Sequence, residues 1–367
     1  MPSIPWKYIK DHLFLPNYTP AELAEKLTYY GLETKLVEYQ NNFYLEFNPL
    51  PNRPDLFSGG GIIQEIGVLL NCQVKPINFP IINESKEKLI EVVITTPNCH
   101  EFHLGLIKNI EVKESPLWIK EWLKINNLRS INNVVDIANL VMLESGQPIH
   151  IFDYDTLPEK KIIVRPAQEE EKINTLQGQK LTLASEDTVI SSAEKIIDLA
   201  GIIGTQESAL TSSTKNILIE SASFNPKTIQ KTTKRLNIST VASQFFGRGT
   251  NLIFPLKQVL QRTISLIIET YEGNLEAGVI FTYWPKKEQA RPAIFISQNF
   301  IEKKIGQKFP DPIIESIWQQ LEFPYQKKEN AYYVAIPVYR PDISLPEDLL
   351  EELLRVYDYN KVVGSLL

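Results

Sequence analysis

The stretch RSINNVVDIANLVMLESGQPIHIFD, residues 129–153, ends close to one of only four histidines in a chain of 367 residues. His150 lies between Ile149 and Ile151 and near Phe152, so a titratable imidazole sits in apolar surroundings. Two readings are open. The ring is a core histidine satisfied by one backbone carbonyl, or it belongs to a site. An imidazole that follows Gln147-Pro148 can orient a carbonyl or a water as acid or base near neutral pH.

Downstream, residues 161–224 have a β texture: KIIVRPA, EKINTL, QKLTL, DTVISS and NILIESASF, with Gln177-Gly178 as a hairpin turn. In NILIE, Ile217 and Ile219 take one face of the strand and Leu218 and Glu220 the other. If both faces are covered, the Glu220 carboxylate is buried and must find a donor. Such a group can select a ligand hydroxyl, because analogues lacking it leave the site unpaired. The alternative is a strand-end Glu emerging into solvent. Two helices follow, one from Asn225-Pro226 and one over residues 255–272, with Leu256, Leu260, Ile264, Ile267 and Tyr271 on one side. Lys227, Lys231, Lys234 and Arg235 form a basic stripe, either a solvated face or a contact for RNA phosphates. Upstream, EVVITT and FHLGLIKNIEV read as strands, and Ser115-Pro116 opens a helix with Leu117, Trp118, Trp122 and Leu123 on its apolar side. Cys99-His100-Glu101-Phe102-His103 clusters metal-ligand types but has no second ligand pair at suitable spacing, which favours a plain strand edge. A middle domain of mixed strands and helices is the simplest reading.

A smaller segment lies on each side. In the first, Thr19-Pro20-Ala21-Glu22 has the signature of a helix start. FYLEF alternates like a strand, NPLPNRPDLFSGGG is a Pro-rich loop, and IIQEIGVLL is a helix. Residues 80–90 read as a polar linker. In the third, Asp311-Pro312 opens a helix, AYYVAIPVY is a strand, and SLPEDLLEELLRVYDY closes as a helix. Asn52-Arg53-Pro54-Asp55 and Tyr339-Arg340-Pro341-Asp342 echo one another, a hint of an internal repeat. Asp342, Asp348, Glu351 and Glu352 come close together if Asp348 opens the last helix. They then either converge on a hard cation such as Mg²⁺ or complement the helix dipole and face water.

Length alone asks for two or three domains at about 100–200 residues each. No segment approaches the roughly 20 uninterrupted apolar residues of a membrane helix. MPSIPWKYIKDHL lacks the apolar core of a signal peptide. Cys72 and Cys99 are too few for a disulfide framework, so the expectation is a cytoplasmic protein. A net charge of −6 argues against binding nucleic acid through an overall basic field. No Gly-rich phosphate loop and no G-x-S-x-G elbow are present.

Residues 129–153 resemble the β subunit of bacterial phenylalanyl-tRNA synthetase. NRPDLFSGGGIIQEI is similar to that family's N-terminal loop and helix. DLAGIIG, NILIESASFNP and STVASQFFGRG resemble successive blocks of its editing domain, and VYRPDISLPEDLLEELLRVYDYN resembles the small domain that follows. The resemblance implies an α+β multidomain chain: residues 1–80 a small module, 89–285 a mixed α/β editing-type domain, 292–361 a second small helix-and-strand module. It implies an α2β2 enzyme that joins phenylalanine to tRNA(Phe) with ATP, the aminoacylation site and ATP belonging to α. No DNA or membrane partner is implied. The editing domain would hydrolyse tyrosine mis-esterified to tRNA(Phe). Glu220 matches the carboxylate that recognises the tyrosine hydroxyl. Arg129 and His150 match residues lining the hydrolytic pocket, and Thr240, Ala242 and Gly204 match its walls. Asp342, Asp348, Glu351 and Glu352 match Mg²⁺ ligands at the contact with α. The sequence departs from the pattern at Ile151, Thr205, Phe245, Gly247 and Glu101. The oligonucleotide-binding domain that the family carries after the first helix has no counterpart between VEYQ and NNFYLEF, nor has anything the family carries beyond YDYN.

Overall fold

A computed structural model describes residues 1–75, 82, 89–249, 253–271, 276–283 and 291–362, with only the backbone of 276–283. The linker expected at residues 80–90 and the boundaries at 80 and 285 fall largely or wholly outside them. The chain divides into two compact units, Asn78–Glu288 and the pair of segments Met1–Ile77 and Gln289–Leu367. The first and third segments thus share one unit.

In Asn78–Glu288 the strand Ile217–Phe224 is central. It pairs antiparallel with Cys99–Lys108 on one side and Ile149–Asp153 on the other, and Glu276–Tyr283 completes a four-stranded sheet. A second sheet has the order Ile203–Gly204, Lys195–Leu199, Thr188–Ser192, Lys161–Pro166, Glu91–Ile94, with only the last pair parallel. The hydrophobic core joins residues of both sheets, among them Phe102, Leu104, Phe152, Leu218, Val189 and Leu199. The helix Leu256–Glu269 covers the opposite face of the first sheet, and approaches so closely that a Cβ on Gly105 would lie 2.7 Å from Ile264 Cδ1. Both faces of Ile217–Phe224 are therefore covered, as alternation at Ile217, Leu218, Ile219 and Glu220 allowed. Lys172–Asn174 and Lys180–Thr182 form the hairpin expected around Gly178, whose φ is +80°. The helix Leu117–Ile125 differs from expectation. Ile119, Trp122 and Leu123 make its buried face, while Leu117 and Trp118 are 69% and 50% exposed. The i, i+3, i+4 spacing that defines a helix face selects 119, 122 and 123 instead.

The other unit contains the same order of elements twice. Ser3–Pro5, Trp6–His12, Pro20–Tyr29, Thr34–Tyr39, Asn42–Phe47 and Gly59–Leu70 are matched by Ile294–Ser297, Gln298–Ile305, Asp311–Gln320, Tyr325–Lys328, Ala331–Val334 and Pro346–Tyr357. Each half is a strand, two helices, a hairpin, an R-P-D turn and a helix. In each, the last strand lies in the middle of a three-stranded antiparallel sheet. Thr19 and Glu22 form the reciprocal cap expected of them. The R-P-D echo is one part of this repeat.

Candidate functional site

The site is built around the junction of residues 129–153 with the central strand. Asn132 caps the helix Asn133–Ser145, accepting from Val134 N and Val135 N. Gly146 ends it at φ +76°, a left-handed conformation that glycine adopts without strain. The buried Gln147 amide then donates to Ala222 O at 2.8 Å and so pins the edge strand Ile149–Asp153 to Ile217–Phe224. The resulting register sets His150 opposite Glu220, with Leu104 opposite Glu220 on the other side. Paired residues of an antiparallel sheet project from the same face, so His150 and Glu220 are side by side.

Two cavities open beside them. The larger, about 460 Å³, is mostly apolar and is walled by Ile131, Val135, His150, Leu176, Ile203 and Ala242 among others. This is an ordinary size for a small-molecule site. The smaller, about 50 Å³, is lined by His150, Asp198, Gly204, Glu220, Ala242 and Phe246 among others. His150, Gly204 and Ala242 belong to both walls. Glu220 is only 4% exposed, and its Oε2 is buried with no hydrogen-bond partner. A buried polar atom without a partner is uncommon and asks for an explanation, such as a ligand.

Burial sets the protonation of His150 and Glu220. Burial pushes the His150 imidazole down to about 4, so it is uncharged at neutral pH and one ring nitrogen is a free-base acceptor. Burial, and then Asp198, hold the Glu220 proton well above the usual carboxylate range. The ring is fixed edge-on against Phe152 at a centroid distance of 4.6 Å. Gly204 passes under it. A Cβ there would lie 2.6 Å from His150 Cε1, which explains a glycine at this position.

Thr240 caps the helix Val241–Arg248. Its hydroxyl accepts from Ser243 N at 3.0 Å and donates to Ile202 O at 2.7 Å, tying Ala242 to the loop before Gly204. Glu220, His150, Gly204, Thr240 and Ala242 are thus brought together. Arg129 is not. It is exposed, and the wall is made by its neighbours Leu128 and Ile131. The buried Asp136 accepts from Ile131 N and from the hydroxyls of Ser115 and Ser130, which fixes that loop with Ile131 and Asn132 at the pocket. Ile151 forms part of the wall without closing the cavity. Thr205 spends its hydroxyl on Ile196 O at 3.1 Å, and Phe245 is buried. Gly247 O accepts from Gln230 Nε2. Glu101 lies 2.5 Å from the buried His103, a local pair; among the described residues no cluster of three or more metal-ligand types is assembled there.

The four acids in the other unit do not converge as expected. Arg340 binds Asp342 at 2.7 Å and Glu352 at 2.8 Å. Arg355 takes the other Glu352 oxygen at 2.7 Å. Asp348 accepts from Ser344 N and Leu345 N, capping its helix, and Glu351 is exposed. Mg²⁺ demands near-octahedral oxygen ligands. Asp342 and Glu352, committed to guanidinium groups, and Asp348, committed to backbone amides, do not fit it, and no group of three metal-type side chains is assembled among the described residues.

Sequence reasoning missed two sets of residues. Asp198 stands in the DLAGIIG block but was given no role. Arg53 pairs with Asp55 and Glu65 just as Arg340 pairs with Asp342 and Glu352, with the partner acids two and twelve positions on in both halves. That shared spacing was available as a signal. Arg355, paired with both Glu65 and Glu352, joins the two sets.

Residues 98–272 match the B3/4 domain family and residues 294–359 the tRNA synthetase B5 domain family. The chain is 33% identical over 327 residues to the phenylalanine–tRNA ligase β subunit of Streptococcus pyogenes serotype M1, covering 88% of this chain and 40% of that one. It is 35% identical over 327 residues to the β subunit of Carboxydothermus hydrogenoformans, covering 89% and 41%. It is 32% identical over 366 residues to that of Listeria monocytogenes serotype 4b, covering 99% and 44%. The chain thus spans about 40% of the length of the curated relatives it matches. A crystal structure of an N-terminal fragment of the phenylalanyl-tRNA synthetase β subunit from Pyrococcus horikoshii shares the fold, with a TM-score of 0.52, 15% identity, and 97% and 99% coverage.

Proposed function

Because the chain belongs to the phenylalanyl-tRNA synthetase β-subunit family, we propose that its central pocket removes tyrosine wrongly esterified to tRNA(Phe). The observation that carries this reading is the unpartnered Glu220 oxygen beside a neutral imidazole, in a cavity of about 50 Å³ that shares the His150, Gly204 and Ala242 walls with the 460 Å³ apolar pocket. An aromatic ring suits the apolar walls, and its hydroxyl suits the polar floor at Glu220. Phenylalanine brings no hydroxyl and leaves the buried acid unpaired, so the same floor spares the cognate product. Hydrolysis of an activated ester needs a positioned water and little more. Neutral His150 can accept its proton through a free ring nitrogen. Ile131, Leu176 and Val241 form an apolar rim for the terminal nucleoside, and the exposed Arg129 beside it can take an RNA phosphate. In the complete enzyme this chain works with an α subunit that carries the aminoacylation site.

The test is release of amino acid from tyrosyl-tRNA(Phe) and phenylalanyl-tRNA(Phe) by the full chain. Tyrosine should leave faster than phenylalanine, and Glu220→Ala should narrow the difference by roughly ten- to a hundredfold. No release by either protein would leave the chain a scaffold within the synthetase.

A further inference from the structure

We propose that Asp198 is a second specificity-determining residue of this pocket: it and Glu220 hold one proton between them, presenting a carboxylic acid beside a carboxylate to an aromatic hydroxyl. This rests on the proposed reading of the site. The two acids come from different sheets, Asp198 from Lys195–Leu199 and Glu220 from Ile217–Phe224, yet they line one cavity of about 50 Å³. Each is 4% exposed. Water's share of liquid volume is about 30 Å³, so the space suits a hydroxyl or a single water.

Among the described residues no cation lines this cavity. His150 faces Glu220 from the edge strand and is neutral. From Cys99–Lys108, Leu104 is apolar, and burial and then Glu220 push the Cys99 thiol up, so it too is uncharged. The helix Val241–Arg248 contributes only Ala242 and Phe246 to this cavity; its Arg248 lines a different groove, with Gln230 and Lys234. The hairpin turn contributes the Gly201 N–H, which donates to Asp198. Two carboxylates in so dry a place do not both ionise. Burial accordingly pushes Asp198 up to about 7, and Glu220 keeps its proton above the usual range.

A proton-sharing pair reads a hydroxyl more stringently than one carboxylate does. A phenol donates through its O–H and accepts through its oxygen. It can donate to the charged member and accept from the protonated one at once. A ring without the hydroxyl leaves both unpaired.

Asp198 also closes the turn at Gly201, so a structural role must be separated from this one. Asn keeps the acceptor for Gly201 and loses the proton. The full chain, ¹³C-labelled at Asp and Glu carboxyls, is titrated by NMR as wild type, Asp198→Asn and Glu220→Gln. The expected result is a Glu220 carbon that titrates above the ordinary range in wild type and at least about one pH unit lower in Asp198→Asn, with an unchanged melting temperature. Should Asp198→Asn fail to fold, Glu220→Gln gives the reciprocal reading, a downward move of the Asp198 carbon. In parallel, calorimetry compares L-tyrosinamide with L-phenylalaninamide. Asp198→Asn should reduce the tyrosine preference by roughly tenfold. A Glu220 carbon that titrates identically with and without Asp198, or an unchanged preference, overturns the proposal. The NMR does not require hydrolysis. Linked titration without release of tyrosine from tRNA would retire the editing reading and leave the pair standing.

Discussion

Two sets of buried acids, one in each unit, are accommodated in opposite ways. In the repeat-containing unit, Asp55, Glu65, Asp342 and Glu352 are each held by one or two of the guanidinium groups of Arg53, Arg340 and Arg355. In the pocket-containing unit, Glu220 and Asp198 meet no cation among the described residues, and both hold protons more tightly than an ordinary carboxylate. Removing a charge from water costs several kcal/mol, and either solution offsets it. The first leaves side-chain oxygens occupied, so the region is architecture. The second leaves an oxygen open to whatever enters. The comparison therefore separates structural from functional acids by partnership, since both kinds are equally buried. The largest break in it is Arg340→Met, which leaves Asp342 without its guanidinium partner and Glu352 with Arg355 alone. Urea denaturation should show a loss of roughly 3–5 kcal/mol. Glu220→Gln exchanges one neutral group for another of the same shape and should cost under about 1 kcal/mol. Equal losses from the two would end the distinction.

Glycines sharpen the same contrast. A Cβ on Gly67 would lie 2.8 Å from Val74 Cγ2, and one on Gly204 would lie 2.6 Å from His150 Cε1. Both alanine variants overpack, at about 1–3 kcal/mol. For Gly67→Ala, inside a helix, part of this is returned by propensity, about 1 kcal/mol. Gly67→Ala should alter only the melting temperature. Gly204→Ala should push the imidazole off its position and lower the rate of tyrosine release at least tenfold, measured on folded protein. A Gly204→Ala variant with full activity would show that the ring's position does not matter.

The difference between the units also explains what was legible in the sequence. Alternation in NILIESASF put Leu218 and Glu220 on one face, and this survives in the structure because strand periodicity is local. Whether that face met water was not local. It depended on the second sheet, whose strands lie elsewhere in the chain. His150 was ambiguous for the same reason, and only the strand pairing sets it opposite Glu220, in the wall of both cavities. Asp198 went unread because a lone acid in a hydrophobic strand points to no partner until two sheets are stacked. The acids of the last helix misled in the opposite sense. Their spacing left a cation and a solvated helix face both open and the resemblance chose the cation, but the Arg two positions before Asp342 reaches it first. Arg129 was expected in the pocket, yet one turn of loop geometry turns its neighbours inward and leaves it outside.

The subtlest consequence is a difference in pH dependence. Asp198 and Glu220 have folded-state values above their unfolded ones. Above the unfolded carboxylate range these two acids therefore bind more protons in the native pocket than in the unfolded chain, while His150, lowered to about 4, opposes them until the unfolded histidine loses its proton at about pH 6.5. The stability the two acids contribute is full below the unfolded values and is lost as pH rises through the folded ones. Glu65 and Glu352 are lowered, because the attraction of Arg355 and its neighbours outweighs burial. Their contribution is present above the unfolded value and is lost as pH falls through the folded one. Asp55 opposes this weakly, since there burial outweighs Arg53. Hydrogen exchange, corrected for the intrinsic rate, resolves the two units in one sample. From about pH 6.5 to about pH 8, where His150 is neutral in both states, protection in Ile217–Phe224 and Lys195–Leu199 should fall, by at most about 1.4 kcal/mol per pH unit for each extra proton bound. Protection in Asn42–Phe47 and Ala331–Val334 should hold over that range and fall only in stronger acid. Slopes of the same sign in both units would mean that the pocket acids are ionised like the others, and that some cation reaches them after all.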